Sequence, residues 1–83
     1  MTQQEVMAAI KDIPVGAKLQ LIKKNGIIAD VVLASHEVTG TERKEYENLV
    51  VPALPPALIV HGGARFGRFR IDTDDLINIA WVD

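Results

Sequence analysis

The chain contains no cysteine, which excludes a disulfide framework and any zinc–thiolate site. A stable fold must then rest on a packed core, on association of copies, or on both. No excess of basic residues is present: the formal charge is −2, so the chain as a whole carries no electrostatic signature for nucleic acid. No apolar run approaches the roughly 20 residues that span a bilayer, and no membrane partner is expected. The opening Met1-Thr2-Gln3-Gln4-Glu5 is polar and has no basic stretch, unlike a secretion signal. The expected location is the cytoplasm. No Ser/His/Asp set, Walker loop, dinucleotide fingerprint or zinc signature occurs, so neither an enzyme nor a cofactor is expected.

What the chain does have is apolar residues, 48 % of 83 positions. A domain this short buries only roughly 60–65 % of its unfolded surface. Part of the apolar surface is therefore expected to meet a second copy, and the protein to be a homo-oligomer.

The most informative stretch runs from Leu19 to Leu33 and reads as two β-strands around Lys24-Asn25-Gly26. A two-residue Asn25-Gly26 loop would pair Leu21 with Asp30 and mix polar with apolar residues on each face. A three-residue loop with Gly26 left-handed instead pairs Leu21 with Ala29, Leu19 with Val31 and Ala17 with Leu33. One face is then almost wholly apolar, and a one-residue slip would turn it outward. Ile22 and Ile28 fall on the opposite face and are expected to meet the helix or a neighbour.

Residues 2–12 read as a helix. Thr2 and Glu5 stand at capping-box spacing, Val6, Ile10 and Ile13 form a stripe with Met7 beside it, and Pro14 with Gly16 ends the run. After the hairpin the second strand is expected to continue to about Val38. Glu42 to Glu47 is a charged patch, either a loop or the outer part of a strand. Asn48–Leu54 reads as a strand that runs along a sheet edge or leaves the sheet, since Pro52, Pro55 and Pro56 cannot donate to a ladder. Ala57–His61, Phe66–Ile71 and Leu76–Val82 read as further strands. The expected core is Val6, Ile10, Leu19, Leu21, Val31, Leu33, Leu49, Val51, Ile59, Phe69, Ile71, Leu76 and Ile79.

A capped helix followed by five or six short strands suggests one mainly β domain over residues 1–83, with the helix at 2–12 and a barrel at 17–82. The chain resembles the Sm-like family through Lys24-Asn25-Gly26, Asn48-Leu49-Val50 and Leu76-Ile77-Asn78-Ile79. The resemblance implies a small SH3-like or Sm-like barrel. Where that family has an Arg-Gly-Asp type turn before its last strand, this chain has Asp72-Thr73-Asp74-Asp75. An acidic turn repels a phosphate backbone, so the resemblance supports the fold more than RNA binding.

One segment has binding character. His61–Arg70 holds three arginines, two phenylalanines and three glycines. Arg65, Phe66, Arg68 and Arg70 are the candidate nucleic-acid residues, with charge for phosphate and a ring for base stacking. The plainer account makes the glycines a turn, Phe69 core and the arginines a solvated face. His36 and Glu37 are adjacent and point to opposite faces of a strand, which excludes a dyad. Neither they nor His61 form a metal-ligand pattern. Asp72, Asp74 and Asp75 read as a polar turn, with Asp74 or Asp75 capping a short 3₁₀ helix. The two functions that follow are a self-assembling, non-enzymatic interaction or scaffold module, and a weak binder of single-stranded RNA or DNA.

Overall fold

The computed structural model describes residues 1–62 and 67–82. The elements run α1 (Gln3–Ile10), β1 (Lys18–Lys23), β2 (Ile28–Leu33), β3 (Lys44–Tyr46), β4 (Leu49–Val51), β5 (Ala57–His61), β6 (Arg68–Asp72), a 3₁₀ turn (Thr73–Asp75) and β7 (Leu76–Val82). The chain is mainly β, and the ladders between these strands are antiparallel.

Helix α1 starts where the capping box puts it. The Glu5 backbone N–H donates to Thr2 Oγ1 at 3.1 Å, and the Thr2 N–H donates to Glu5 Oε1 at 2.9 Å. These hydrogen bonds to Thr2 hold the Glu5 carboxyl below its ordinary range. A depressed carboxylate stabilises the fold above its unfolded pKa and loses that contribution as the pH falls. The helix ends earlier than the sequence suggests, because the chain turns at Lys11-Asp12 to bury Ile13 ahead of Pro14. Val6, Ile10 and Ile13 enter the core, whereas Met7 is 48 % exposed. Two side-chain bonds tie the segment around residues 36–38 to this part of the chain: Gln3 Nε2, at the start of α1, donates to the Val38 carbonyl, and His36 Nε2 bonds the Ile13 carbonyl beyond the helix.

The first hairpin has the register that alternation requires. Leu19 pairs with Val31 and Leu21 with Ala29, and the Leu33 N–H donates to the Ala17 carbonyl at 3.0 Å. Gly26 has φ +86°, its N–H donates to Lys23 O, and Lys23 N–H donates to Ile27 O. Asn25 Oδ1 accepts the Ile27 N–H, closing the turn from the side-chain end. On the opposite face Ile22 is half-buried and Ile28 is exposed.

The main sheet has the strand order β6-β5-β2-β1-β7, and β3 pairs only with β4 in a separate ribbon. Among the described residues the count is seven strands, not five or six. The hydrogen-bonded ladder does not close into a barrel among the described residues: β6 and β7 are its two ends. Strand β2 stops at Leu33, and the chain reaches Val38 as an irregular segment whose Val38 side chain is buried.

The core joins the apolar face of this sheet to α1. It contains Val6, Ile10, Ile13, Leu19, Leu21, Val31, Leu33, Val38, Leu58, Val60, Ile71 and Leu76, with Ile79 packed against it. Four expected core residues lie elsewhere. Leu49 and Val51 are exposed because their strand leaves the sheet. Ile59 is half-buried because Leu58 pairs with Ile71 and Val60 with Leu33, which puts the even-numbered residues of β5 inward. Phe69 faces the core side beside Val60 but lies on the last strand, and remains 37 % exposed.

Two variants test this packing. Leu21 is fully buried, so Leu21→Ala is expected to cost about 2–5 kcal/mol in a denaturant titration. A Cβ on Gly26 meets nothing within 4 Å, so Gly26→Val isolates backbone strain. Its expected cost is about 1–2 kcal/mol, and an unchanged melting midpoint would disprove the turn conformation.

Candidate interaction surfaces

Between β2 and β5 the chain makes an excursion that alternation alone does not reveal. Thr41 and Leu54 exchange backbone hydrogen bonds at 3.0 Å each, and β3 and β4 extend from this bridge as an antiparallel arm. Every residue from Thr39 to Pro55 is exposed. The molecule measures 49 × 28 × 25 Å, with a radius of gyration of 13.8 Å. About 12 Å is usual for a compact chain of this length, and the arm accounts for the excess.

The root of the arm is tightly built. A Cβ at Gly40 would lie 2.1 Å from the Leu54 carbonyl oxygen and 2.9 Å from the Pro55 carbonyl carbon, so only glycine fits. Arg70 reaches across from β6: its Nη2 donates to the Thr39 carbonyl at 3.1 Å and to the Pro55 carbonyl at 3.0 Å. One guanidinium thus bridges both chain segments where the arm leaves the body.

The two strands of the arm differ in chemistry. Along β3 the chain reads Lys44-Glu45-Tyr46, preceded by Arg43, which pairs with Glu45 at 3.1 Å. Along β4 it reads Leu49-Val50-Val51, with exposures of 60 %, 53 % and 37 %. Tyr46 and Leu54 are also exposed. These residues form an exposed apolar patch on a ribbon separate from the main sheet.

The second apolar surface is β7. This terminal strand carries no charged side chain over Leu76–Val82. Ile79 and Trp81 pair with Leu21 and Leu19 and so share the core face, yet Trp81 is 51 % exposed because no strand lies beyond it. Ile77 and Val82 are exposed as well.

Of the arginine segment, Arg65 and Phe66 lie outside the described residues. Arg68 and Arg70 project from the same face of β6, paired across to His61 and Ile59. The carbonyls of the arm root engage Arg70. Beside it an open cleft of about 560 Å³ is lined by Lys23, Phe69, Arg70, Ile71, Asp72, Asp74 and Asp75. Two cations face three acids there, so no continuous positive surface runs along this strand. Asp75 pairs with Lys23 at 3.1 Å, and its carbonyl accepts the Lys24 N–H, linking the 3₁₀ turn to the first hairpin. Asp72 occupies the cap position of that turn without a side-chain cap bond, so capping by Asp74 or Asp75 is replaced by this ion pair. Among the described residues no group of three or more His, Asp or Glu side chains is placed to hold a metal. The helix α1 is too short to cross a membrane.

The prolines signal that Asn48–Leu54 runs at an edge or leaves the sheet, as β4 does, but its apolar side chains put Leu49 and Val51 in the expected core, which they do not enter. The usable signal is the pair of brackets around the excursion, Thr39-Gly40 before it and Pro55-Pro56 after it.

Arg70→Met is expected to raise amide exchange across residues 41–54 while leaving that of β1 and β2 unchanged. Equal protection of the arm in both proteins would show that Arg70 does not brace it. In fluorescence anisotropy at low salt, a labelled single-stranded oligonucleotide is expected not to bind. Binding that weakens on Arg68→Ala would reverse this expectation.

No protein-family model, no curated protein and no solved structure matches this chain.

Proposed function

We propose that this protein is a non-enzymatic module that self-assembles through its sheet edges and serves as an interaction or scaffold element. The observation that carries the reading is the terminal strand β7, which has no charged side chain, is apolar except at Asn78, and has no strand beside it on its outer side among the described residues. An exposed edge of this kind is a template for another strand, and monomeric proteins blunt it with charge, proline or a covering loop. The other terminal strand, β6, presents a matching antiparallel edge. Pairing β6 of one copy with β7 of the next yields a closed dimer or ring, depending on the rotation between copies. It would also cover Trp81 and Phe69, the two aromatic rings exposed at opposite ends of the sheet.

The underlying plan is read as a small Sm-like or SH3-like barrel. Support comes from the return of β7 onto β1 after a 3₁₀ turn, and from the β6-β5-β2-β1-β7 order, in which β1-β2 and β5-β6 are consecutive antiparallel pairs. On this reading the arm is an insertion between the second and third strands of the barrel. Binding of single-stranded nucleic acid is the lesser reading, because the acids beside Arg70 dilute the charge that phosphate contact requires.

Light scattering tests the proposal. The mass at high micromolar concentration is expected to be a multiple of the 9.1 kDa chain. Trp81→Lys places a charge on the uncharged edge and is expected to lower that mass with the fold retained, since Trp81 is half exposed. A 9.1 kDa particle for the unaltered protein would refute self-assembly.

A further inference from the structure

We infer that the arm is a second, separate assembly element, and that strand β4 pairs antiparallel with β4 of another copy about a two-fold axis through Val50. The inference deepens the self-assembly reading and rests on it, but uses a different surface from the edges of the main sheet.

The arm is a ribbon of two short strands that pair only with each other. An isolated two-stranded hairpin is marginal in water and becomes stable on gaining further strands or a surface to pack on. Its two outer edges are not equivalent. The β3 edge carries Arg43, Lys44, Glu45 and Glu47 on or beside the strand, the charged protection typical of an edge meant to stay free. The β4 edge carries Leu49, Val50 and Val51 with no charge at all. A strand added to this ribbon therefore belongs on β4, and the β3 charges then become the outer rims of the enlarged sheet.

The register points to a second copy as the occupant. The ribbon turns through Glu47-Asn48, with Tyr46 paired to Leu49, Glu45 to Val50 and Lys44 to Val51. In a two-residue hairpin the pair flanking the loop exchanges both hydrogen bonds, and the pairs alternate from there. Leu49 and Val51 thus spend their backbone groups on β3, while Val50 directs its N–H and C=O outward. Antiparallel pairing of β4 with itself centred on Val50 satisfies both groups of both copies. It also sets Leu49 opposite Val51 of the second copy, so that the four side chains form one aliphatic patch flanked by two tyrosines on the face shared by Tyr46, Leu49 and Val51.

Pro52 limits the extent of the pairing. Opposite Asn48 of the other copy its carbonyl accepts one hydrogen bond, and because it has no N–H to return, the ladder ends there. The charged residues agree with this arrangement. Glu45 lies in the Val50 row, so the two copies of Glu45 stand about three strand spacings apart, roughly 14 Å, beyond the screening length in physiological salt. Each keeps its own Arg43 partner.

The test uses the absence of cysteine, which makes any introduced thiol the only one. On the two-fold axis the Cα atoms of position 50 would lie about 5.5 Å apart, within disulfide reach. The Val50→Cys chain is expected to form a covalent dimer under mild oxidation. The Lys44→Cys chain, whose thiol would sit on opposite rims of the enlarged sheet, is not. Equal cross-linking of the two, or none in either, overturns the pairing. A second measurement needs no oxidation. Val50→Glu and Val50→Lys are each expected to lose the arm contact and lower the light-scattering mass, and their equimolar mixture to regain it through opposite charges on the axis. Unchanged masses for both single variants overturn the pairing equally. Val50 is 53 % exposed and lies outside the core cluster, so thermal melts of these variants should match the unaltered protein. If the unaltered protein is a monomer, self-assembly and arm pairing fail together. If it is an oligomer that Trp81→Lys dissociates but position 50 does not cross-link, edge pairing stands and arm pairing alone is rejected.

Discussion

The pairing of β1 with β2 places almost every other element of the body. Its register puts Leu19 and Leu21 beside Val31 and Ala29 on one face, and that face is the only large apolar surface the hairpin can offer to α1. From β1 the sheet grows to β7, and from β2 it grows to β5 and then β6. A slip of one residue would present Gln20 and Asp30 to the core and strand both flanking ladders. Gly26 in its left-handed conformation and the Asn25 side-chain bond hold that register locally, before any distant contact forms. The helix adds Val6 and Ile10 to this face, and its loop is tied down by Gln3 and His36.

Much of this was legible in the sequence wherever two local signals agreed. The Thr2–Glu5 box and the Val6–Ile10 spacing name the helix, and alternation with Lys24-Asn25-Gly26 names the hairpin and its turn. The signal weakens where alternation is absent. Ala57–Val60 is apolar throughout, so periodicity cannot say that Leu58 and Val60 rather than Ile59 face inward; the ladder to Leu33 decides it. In Leu49–Val51 the prolines that follow signal departure from the sheet, but a strand apolar on both faces offers no alternation to show that Leu49 and Val51 stay out of the core. Phe69 shows a third limit: the face is right, but burial depends on whether another strand lies beyond. The arginine segment is visible from its composition, whereas the engagement of Arg70 with two backbone carbonyls is a long-range fact with no local trace.

The molecule is uneven in how it guards its backbone. Strand β3 lies at an outer edge and carries charge where an incoming strand would have to displace water from ions, whereas β6 carries Arg68, Arg70 and Asp72 on the side opposite Phe69 and Ile71. The strands without charge, β4 and β7, also lie at outer edges. The exposed Leu49, Val50, Val51, Ile77, Trp81 and Val82 on those two strands add to the 48 % apolar composition alongside the core. Composition alone cannot distinguish a generous core from apolar surface, which is why the excess suggested association without locating it.

The narrow neck of the arm has a further consequence. Thr41 meets Leu54, Gly40 admits the Leu54 carbonyl, and Arg70 spans Thr39 and Pro55, so the chain has already returned to its starting point before the arm begins. The entropy of closing that loop is settled at the neck, and it grows only slowly with whatever is threaded beyond it. The body of the protein is therefore indifferent to the length and sequence of the excursion. Residues 42–53 form a cassette: a stretch that can lengthen, shorten or change its chemistry without a matching change in the core, leaving the sheet as a constant mount for an exchangeable tip.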